Sequence, residues 1–354
     1  MSDTKAILFG PLPPPYGGVS VFMASIKDAC LDRGVEVWSY AGNGGDPRVT
    51  NVSHRLLQHM PKLFSDATGV RIIDSTHFHL EHPHWLLLPL WLRTKRRKNF
   101  IWVKICHDAT FPSRYDAMSA AEKRRVRKAL SAIDELVVYS RELEEWFRNE
   151  GGYKGKLRFL PFLTPLESDW ASTPASEMLG DFLHDKLVSS VGVFLPFYGF
   201  DKLANAVENV RSKNNIDIGL VLLDGGFARD ENYRTSLLRG RPWIRVIEEL
   251  PHPQIGSVIA ASDAFVRSVE YESYGRSRAE AVMTGVPVIA TNVGETRGVL
   301  TYDFADGEAL EKHLENVLLQ RIDIDTSHWR DTYLAEANSN LEAYLQLITG
   351  ETDA

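Results

Sequence analysis

The sequence predicts an α/β protein of two halves, each built around a parallel sheet with helices on both faces. Three observations lead to this prediction. The chain has 354 residues, which is about the length of two typical domains. Short apolar runs alternate with helical patterns along the chain, as buried strands of parallel sheets do. A Pro-rich stretch interrupts the alternation near the middle, after which the alternation begins again.

The first half opens with a strand, a glycine-containing loop and a helix. Ala6–Phe9 is an apolar run that ends at a Pro-rich turn, and Gly17 and Gly18 follow. A helix is predicted after the glycines because apolar residues recur there with a spacing of three or four. The next strands of this half are predicted at Val35–Tyr40, Ile72–Asp74, Ile101–Cys106 and Leu136–Tyr139.

The second half repeats the pattern after a linker. Residues 159–185 contain three prolines among small polar residues, which is typical of an interdomain linker. An apolar pattern over residues 331–348 predicts a final helix. The strands between them are predicted at Leu187–Val193, Ile218–Leu223 (stopped by Asp224-Gly225-Gly226), Ile244–Ile247, Ala264–Arg267 and Val286–Ala290. We therefore expect a first domain at 1–164, a linker at 165–185, a second domain at 186–330, and a helix at 331–354 that packs on the first domain.

Composition excludes several classes of protein. The chain is 44% hydrophobic and 10% aromatic, which excludes a disordered chain. Cys30 and Cys106 form neither a zinc-site spacing nor a disulfide framework, and this predicts a cytoplasmic protein. The apolar run Trp85–Leu92 is too short to span a bilayer. The net charge of −7 argues against a nucleic-acid partner.

The charge is concentrated in one window. Between Arg93 and Lys128, twelve Lys and Arg residues stand against three Asp and Glu, so this window carries +9 and the rest of the chain −16. An apolar run followed by a basic cluster suits contact with anionic lipid headgroups, and predicts a peripheral position on the inner face of the plasma membrane. A buried helix followed by a solvated loop is the alternative. The predicted membrane contacts are Trp91, Arg93, Lys95, Arg96, Arg97 and Lys98.

The strongest candidate site is the segment VEYESYGRSRAEAVMTGVPVIA, residues 269–290. Ligands of parallel sheets bind beyond the carboxyl ends of strands, and Glu272 lies in such a loop. Gly275 is placed to open a helix whose first N–H groups would attract phosphate. Glu280 lies in the second turn, so two carboxylates could accept hydrogen bonds from vicinal hydroxyls. An ion pair between Glu280 and Arg276, with Glu272 merely solvated, is the alternative.

This segment resembles the E-x7-E signature of retaining, GT-B-fold glycosyltransferases of family four, with Glu272 and Glu280 in the two positions. The loop GPLPPPYGGVS is similar to that family's donor-phosphate loop, and His107-Asp108 to its histidine at the sugar site. LVLLDGG resembles a strand of its second domain. The resemblance covers nearly the whole chain and implies two Rossmann-like domains whose parallel sheets face a cleft.

The resemblance also implies a reaction. A sugar would pass, with retention and without a metal, from a nucleotide-diphosphate donor to a lipid-linked or polysaccharide acceptor. Glu272 would contact donor-sugar hydroxyls, and Glu280 would contact the nucleotide ribose. The diphosphate and sugar would face the loop of Ser273, Tyr274, Gly275 and Arg276.

Two further parts of the site are implied in the first domain. Gly17 and Gly18 would let the backbone approach the donor phosphates without a Cβ clash. His107 would stabilise positive charge at the sugar, and Asp108 would orient it. A histidine that is simply hydrogen-bonded at a strand end is the alternative.

One departure from the family concerns the donor phosphates. The family usually carries an Arg and, five residues later, a Lys after the first strand of the second domain, where this chain has Val193 and Tyr198. Four arginines are predicted to supply replacement cations: Arg267, Arg276, Arg278 and Arg297. The alternative is that they form salt bridges with Asp263, Glu270 or Glu295. A phosphosugar donor without a nucleobase, such as phosphoribosyl diphosphate, is therefore an alternative donor.

The cluster HFHLEHPH, residues 77–84, contains side chains that could bind zinc or nickel. The resembled family carries a histidine after a strand at this place, so we expect an acceptor-side role for His77 or His79 and no metal. A non-catalytic sugar-phosphate-binding protein is the alternative to an enzyme. The presence of all five residue types of the family's site (Glu272, Glu280, Gly17, Gly18 and His107) favours the enzyme.

Overall fold

The structure, a computed structural model, describes residues 4–42, 44–52, 69–76, 80, 100–322 and 324–351. The chain forms two compact units. Unit 1 contains residues 1–14, 18–164 and 338–354, and unit 2 contains residues 15–17 and 165–337.

Unit 1 is built around one parallel sheet. Its described strands are β1 (Thr4–Gly10), β2 (Glu36–Ser39), β3 (Thr50–Asn51), β4 (Gly69–Asp74), β5 (Phe100–Cys106), β6 (Glu135–Val138) and β7 (Lys156–Phe159). They lie in the order β3-β2-β1-β4-β5-β6-β7, and each pair is parallel. The described helices that complete the unit before the linker are α1 (Gly18–Asp32), α2 (Phe111–Ala117), α3 (Ala120–Leu130) and α4 (Arg141–Asn149).

The burial of the strands agrees with their positions in the sheet. Every residue of β4 and of β6 is buried, as expected for central strands covered on both faces. The core of the unit includes Ile72, Trp102 and Leu136. Helix α3 begins at a capping box between Ser119 and Glu122, which satisfies N–H groups at the helix start.

Unit 2 repeats the architecture with a second parallel sheet. Its strands are β8 (Lys186–Phe194), β9 (Ile218–Arg229), β10 (Ile244–Glu248), β11 (Ala264–Arg267), β12 (Val288–Thr291) and β13 (Leu300–Tyr302). The order is β10-β9-β8-β11-β12-β13. The helices are α5 (Ser176–Leu179), α6 (Phe200–Asn214), α7 (Glu231–Leu238), α8 (His252–Ala260), α9 (Arg276–Thr284), α10 (Gly307–Leu318) and α11 (Ser327–Thr349).

Helix α11 begins in unit 2, and its residues from 338 onward fold with unit 1. The Tyr344 hydroxyl donates to the carbonyl oxygen of Leu160 at 3.2 Å. The Tyr344 ring lies 4.8 Å from the ring of Phe22. These contacts attach the end of the chain to the core of unit 1.

The predicted end of the strand at Asp224-Gly225-Gly226 is wrong, because β9 continues to Arg229. The ladder with β8 changes register between Gly192 and Phe194, and Phe194 pairs with Arg229. Gly226 takes a φ of +72°, which glycine adopts at little cost. The chain therefore bulges at the glycines and then rejoins the sheet.

Candidate active site

Glu272 lies in the loop after β11 and is held by an arginine from the end of that strand. Arg267 Nη2 and Nε lie 3.1 Å and 3.3 Å from Glu272 Oε2. Arg267 Nη1 donates to the carbonyl oxygen of Val191 in β8. The arginine and glutamate side chains are only 12% and 16% exposed, so water screens the pair weakly. The structure thus places two predicted site residues together at the carboxyl end of β11.

The two positions where the resembled family carries cations lack a charge of their own. Val193 is fully buried in β8. Tyr198 ends a 3₁₀ helix at Pro196–Tyr198, and burial raises the pKa of its hydroxyl. The guanidinium carbon of Arg267 lies 4.9 Å from the centroid of the Tyr198 ring, which is a cation–π distance. A positive charge therefore lies beside Tyr198, supplied by the neighbouring strand.

Helix α9 begins at a glycine without a side-chain cap. Gly275 is the N-cap residue, with a φ of +91°, and it has no side chain that could cap the first N–H groups of the helix. Gly294, in the loop after β12, lies against this turn, where a Cβ would come within 2.9 Å of the Tyr274 carbonyl oxygen. The same oxygen accepts from the N–H of Glu295 at 2.7 Å. The turn that includes Ser273 is thus fixed, and it presents the positive end of a helix dipole, which suits an anion.

Glu280 is buried in α9 within a charged cluster of which the sequence predicted only the pair with Arg276. Its Oε1 lies 2.5 Å from Arg276 Nε and 3.0 Å from His252 Nε2, and its side chain is 4% exposed. His252 Nδ1 lies 2.7 Å from Glu167 Oε2. Burial opposes ionisation, but the charges of His252 and Arg276 outweigh it and lower the pKa of Glu280 to about 2. The ion pair of Glu280 with Arg276 that the alternative predicted is present, but Glu272 is not merely solvated, because it pairs with Arg267.

Trp170 covers part of this cluster. Its ring lies 4.9 Å from that of His252, and its Nε1 donates to Thr284 Oγ1 at 3.0 Å. Gly256 leaves room for the ring, because a Cβ there would lie 2.5 Å from two of its carbons. The segment that carries Glu167 and Trp170 therefore packs on both α8 and α9.

Two other predicted arginines hold the loop after β12. Arg278 is 1% exposed, and its Nη1 donates to the carbonyl oxygens of Thr291 and Val293 at 3.2 Å and 2.5 Å. Burial lowers the pKa of Arg278 to about 10. Arg297 forms ion pairs with Glu295 at 2.8 Å and with Glu336 at 2.6 Å. Both guanidinium groups thus bind other parts of the chain.

In unit 1, His107 follows β5 and is held by two hydroxyls. Its Nε2 lies 2.9 Å from Ser75 Oγ and its Nδ1 lies 3.0 Å from the Tyr139 hydroxyl. A hydroxyl can donate or accept, so this arrangement accommodates either neutral tautomer. Asp108 accepts from the N–H and Oγ1 of Thr110 at 2.9 Å and 2.7 Å, and it also bonds Arg114.

The glycine pair lies at the start of α1. A Cβ on Gly18 would meet only Phe162, at an ordinary 3.8 Å, so the surrounding chain does not require glycine there. Gly10, at the end of β1, has less room, since a Cβ there would lie 2.9 Å from Met23 Sδ and 3.1 Å from the Ser75 carbonyl oxygen. Gly17 lies directly before α1. A role for this pair in binding phosphate stays a prediction.

Several functional predictions fall outside the described residues. They concern His77, His79, Trp91, Arg93, Lys95, Arg96, Arg97 and Lys98. Within the described ranges, no helix is both long and apolar enough to cross a bilayer. The same ranges hold no group of three His, Cys, Asp or Glu side chains placed to bind a metal ion, and metal independence stays a prediction.

Sequence reasoning missed four residues of these clusters. Ser75 and Tyr139 directly follow β4 and β6, so the rule that ligands bind beyond strand ends could have found them. His252 lies four residues after the end of β10, so the same rule points to it less directly. Glu167 lies in the linker, and no local pattern marks it.

Comparison with known proteins supports a glycosyltransferase domain. Residues 176–323 match the family model for "Glycosyl transferases group 1". The D-inositol 3-phosphate glycosyltransferase of Corynebacterium efficiens is 32% identical over 133 residues, which are 36% of this chain and 31% of the relative. The match thus spans about a third of that relative's length. Both findings support the prediction of a transferase.

Solved structures show the fold. WaaG, a glycosyltransferase involved in lipopolysaccharide biosynthesis, aligns with a TM-score of 0.69 at 15% identity, over 97% of this chain and 100% of that one. An α,α-trehalose-phosphate synthase (UDP-forming) from Burkholderia xenovorans, in complex with glucose-6-phosphate, aligns with a TM-score of 0.72 at 13% identity, over 98% and 100%. Together with the two parallel sheets, these neighbours confirm the predicted α/β, GT-B fold class.

Proposed function

We propose that the chain is a glycosyltransferase that moves a sugar from a diphosphate-activated donor to an acceptor hydroxyl. One observation carries the proposal: the group 1 match spans residues 176–323 and contains Arg267, Glu272, Gly275 and Glu280. The first three lie at the end of β11 and the start of α9, where parallel sheets bind ligands. The names of the related proteins, which are glycosyltransferases and sugar-phosphate synthases, support the same reaction class.

In this proposal the donor is a nucleotide-diphosphate sugar bound by unit 2. The N–H groups at the start of α9 and the guanidinium of Arg267 bind the diphosphate, since both offer donors to anionic oxygens. Glu272 accepts hydrogen bonds from sugar hydroxyls. Arg278 and Arg297 act indirectly, because they fix the loop that packs on the Tyr274 turn.

The proposed transfer retains the anomeric configuration and needs no metal. The bond from the anomeric carbon to the leaving phosphate oxygen breaks, and a bond to the acceptor oxygen forms on the same face. The acceptor proton passes to the leaving phosphate oxygen, so no side chain has to act as the base. His107 stabilises positive charge at the sugar, with its ring held by Ser75 and Tyr139.

The proposed acceptor is lipid-linked or a polysaccharide, at the cytoplasmic face of the plasma membrane. WaaG acts in lipopolysaccharide biosynthesis, which supports an acceptor of this class. Helix α3 supports an anionic partner, because Arg124, Arg125, Arg127 and Lys128 are all exposed on it. Sugar phosphates are the alternative acceptors that the trehalose-phosphate synthase suggests.

A second donor class is favoured by the surroundings of Glu280. This carboxylate is 4% exposed and already accepts from Arg276 and His252, so a ribose would have to displace one of them. A phosphosugar without a nucleoside, such as phosphoribosyl diphosphate, has no nucleotide ribose that must bind Glu280. This second candidate shares the phosphate-binding groups with the first.

Thermal-shift titration separates these candidates. The ligands are UDP, GDP, their glucose and mannose conjugates, phosphoribosyl diphosphate and inorganic pyrophosphate, each with and without EDTA. Stabilisation by a nucleotide sugar supports the first donor class, and stabilisation by phosphoribosyl diphosphate beyond that by pyrophosphate supports the second. No stabilisation by any of them contradicts a transferase and favours a non-catalytic protein.

A matched pair of variants tests the role of Glu272. Glu272→Gln should lower the transfer rate at least tenfold with the donor that the titration identifies, because it removes a charged acceptor for sugar hydroxyls. Glu270→Gln, two residues earlier at an exposed position, should leave the rate unchanged. The anomeric configuration of the product, read by NMR, tests retention.

A further inference from the structure

We infer that Tyr198 is a positioning residue, which holds the Arg267 guanidinium at the carboxyl ends of β8 and β11 as the cation for the donor's phosphate groups. The inference rests on the proposed function and adds a specific arrangement to it. Arg267 would contact the phosphate, and Tyr198 would act through Arg267.

Several elements of unit 2 fix the guanidinium of Arg267. The ring of Tyr198, in the turn after β8, lies 4.9 Å from the guanidinium carbon. Nη1 donates to the Val191 carbonyl oxygen within β8, and Nη2 and Nε reach Glu272 in the loop after β11. Three separate contacts thus restrain one cation that is 12% exposed.

The turn that carries Tyr198 is itself fixed. A Cβ on Gly192 would collide with the Tyr198 ring, and a Cβ on Gly199 would collide with the carbonyl oxygen of Ser268. The carbonyl oxygen of Phe197 accepts from the N–H of Glu270 at 2.8 Å. The turn after β8 therefore packs directly on the loop after β11, and the ring can restrain Arg267.

An aromatic ring stabilises a neighbouring cation without neutralising it. The ring face attracts the guanidinium without a formal charge, whereas a second carboxylate at this place would neutralise it. Glu272 already supplies one negative charge to Arg267. The ring therefore adds restraint without adding a second negative charge to the Arg267–Glu272 pair.

This arrangement makes the position selective for an aromatic residue. Phenylalanine keeps the ring face, so it should replace Tyr198, whereas leucine keeps an apolar side chain and loses the attraction. A purely structural role for the tyrosine hydroxyl predicts the reverse for phenylalanine. Rescue by phenylalanine therefore separates positioning through the ring from a role of the hydroxyl, which also interacts with Arg267.

The test measures the dissociation constant of inorganic pyrophosphate by isothermal titration calorimetry. Tyr198→Phe should bind within about twofold of the wild type, and Tyr198→Leu should bind about tenfold more weakly. Arg267→Met should lose at least tenfold, and the double variant Tyr198→Leu/Arg267→Met should bind no more weakly than Arg267→Met alone. Tyr271→Leu is the control, because Tyr271 is 51% exposed in the loop after β11.

Two outcomes would overturn the inference and leave the proposed function standing. One is wild-type affinity in Tyr198→Leu together with weak binding in Arg267→Met, which would show that Arg267 needs no positioning. The other is wild-type affinity in Arg267→Met, while the nucleotide or phosphosugar still stabilises the protein. Absence of binding of pyrophosphate, nucleotides and phosphosugars to the wild type would overturn both proposals.

Salt dependence gives a second readout that does not depend on a change in folding. The affinity for pyrophosphate should fall with added NaCl in the wild type and in Tyr198→Phe. The slope should be shallower in Arg267→Met, which lacks the cation, and in Tyr198→Leu, where Arg267 keeps its charge but loses the ring contact that restrains it. An unchanged slope in Tyr198→Leu counts against the inference.

Discussion

His252 lies between two carboxylates, and its proton links the segment before α5 to helix α9. Nδ1 reaches Glu167 and Nε2 reaches Glu280. Burial opposes the charged imidazolium, but the charge of Glu280 and hydrogen bonds to both carboxylates outweigh it and raise the pKa of His252. Arg276 also contacts Glu280 and works against the proton on His252.

The sign of this shift predicts how stability depends on pH. Because the pKa of His252 is raised in the folded state, its contribution is fully present below its ordinary value of 6.5 and is lost as the pH rises through the folded value. The free energy of unfolding should therefore fall as the pH rises above 6.5, with a slope of at most about 1.4 kcal/mol per pH unit for this one proton. Urea unfolding across that range measures it.

A pair of variants isolates the contribution of His252. His252→Gln should remove its part of the slope, whereas His328→Gln, at the exposed start of α11, should keep the wild-type slope. Identical slopes in the wild type and in His252→Gln would contradict the assignment. Glu280 contributes at the acid end, where its stabilisation is present above its ordinary 4.5 and is lost as the pH falls toward about 2.

Residues of the site differ in how far sequence can predict them. Glu272 and Glu280 lie in one contiguous motif, so the sequence alone is enough to predict them as site residues. The partners of Arg278 are backbone carbonyls at Thr291 and Val293, which no side-chain pattern marks. Arg267 meets Tyr198 because β8 and β11 are neighbours in the sheet, and that order is a property of the whole unit.

At the scale of elements, long apolar strands are predictable and short ones are not. The pattern at Ile72–Asp74 lies within β4, whose six residues are all buried. β3 and β13 have two and three residues, which are too few for a period to show. Beta strand β9 continues past two glycines because its ladder with β8 shifts register, and this pairing is not visible in either strand alone.

The contact between the turn after β8 and the loop after β11 predicts a severe effect of one glycine substitution. Gly199 has a φ of +62°, and a Cβ there would collide with the Ser268 carbonyl oxygen, which belongs to the backbone and cannot move aside cheaply. Gly199→Ala should lower the free energy of unfolding by about 3 kcal/mol or more. Equilibrium urea unfolding measures the loss.

Gly285 provides the control for this prediction. Its φ of +87° is also in the left-handed region, but an added Cβ would meet nothing within 4 Å. Gly285→Ala should therefore cost only the conformational penalty of about 1 kcal/mol. Equal losses in the two variants would show that the contact with Ser268 contributes nothing beyond backbone strain.

Over the whole molecule, charge is separated along the chain. The window from Arg93 to Lys128 carries +9 and the remainder −16. Helix α3 is the longest described helix or strand of that window. Its apolar face is buried through Val126, Ala129 and Leu130. The net charge of −7 therefore says less about partners than the local charge of α3 does, because electrostatic attraction acts within about a Debye length.

This separation predicts binding to anionic vesicles that depends on α3 rather than on net charge. Replacing Arg124, Arg125 and Lys128 by Gln should weaken co-sedimentation with phosphatidylglycerol vesicles about a hundredfold, since each cation near the surface contributes about 1 kcal/mol. The control replaces three exposed cations of unit 2 and changes the net charge equally: Arg239, Lys312 and Arg330 to Gln. That control should bind as the wild type does, and neither protein should sediment with phosphatidylcholine. Equal losses in both triple variants would show that net charge determines the binding. No loss in the α3 variant would exclude a role of this helix in vesicle binding.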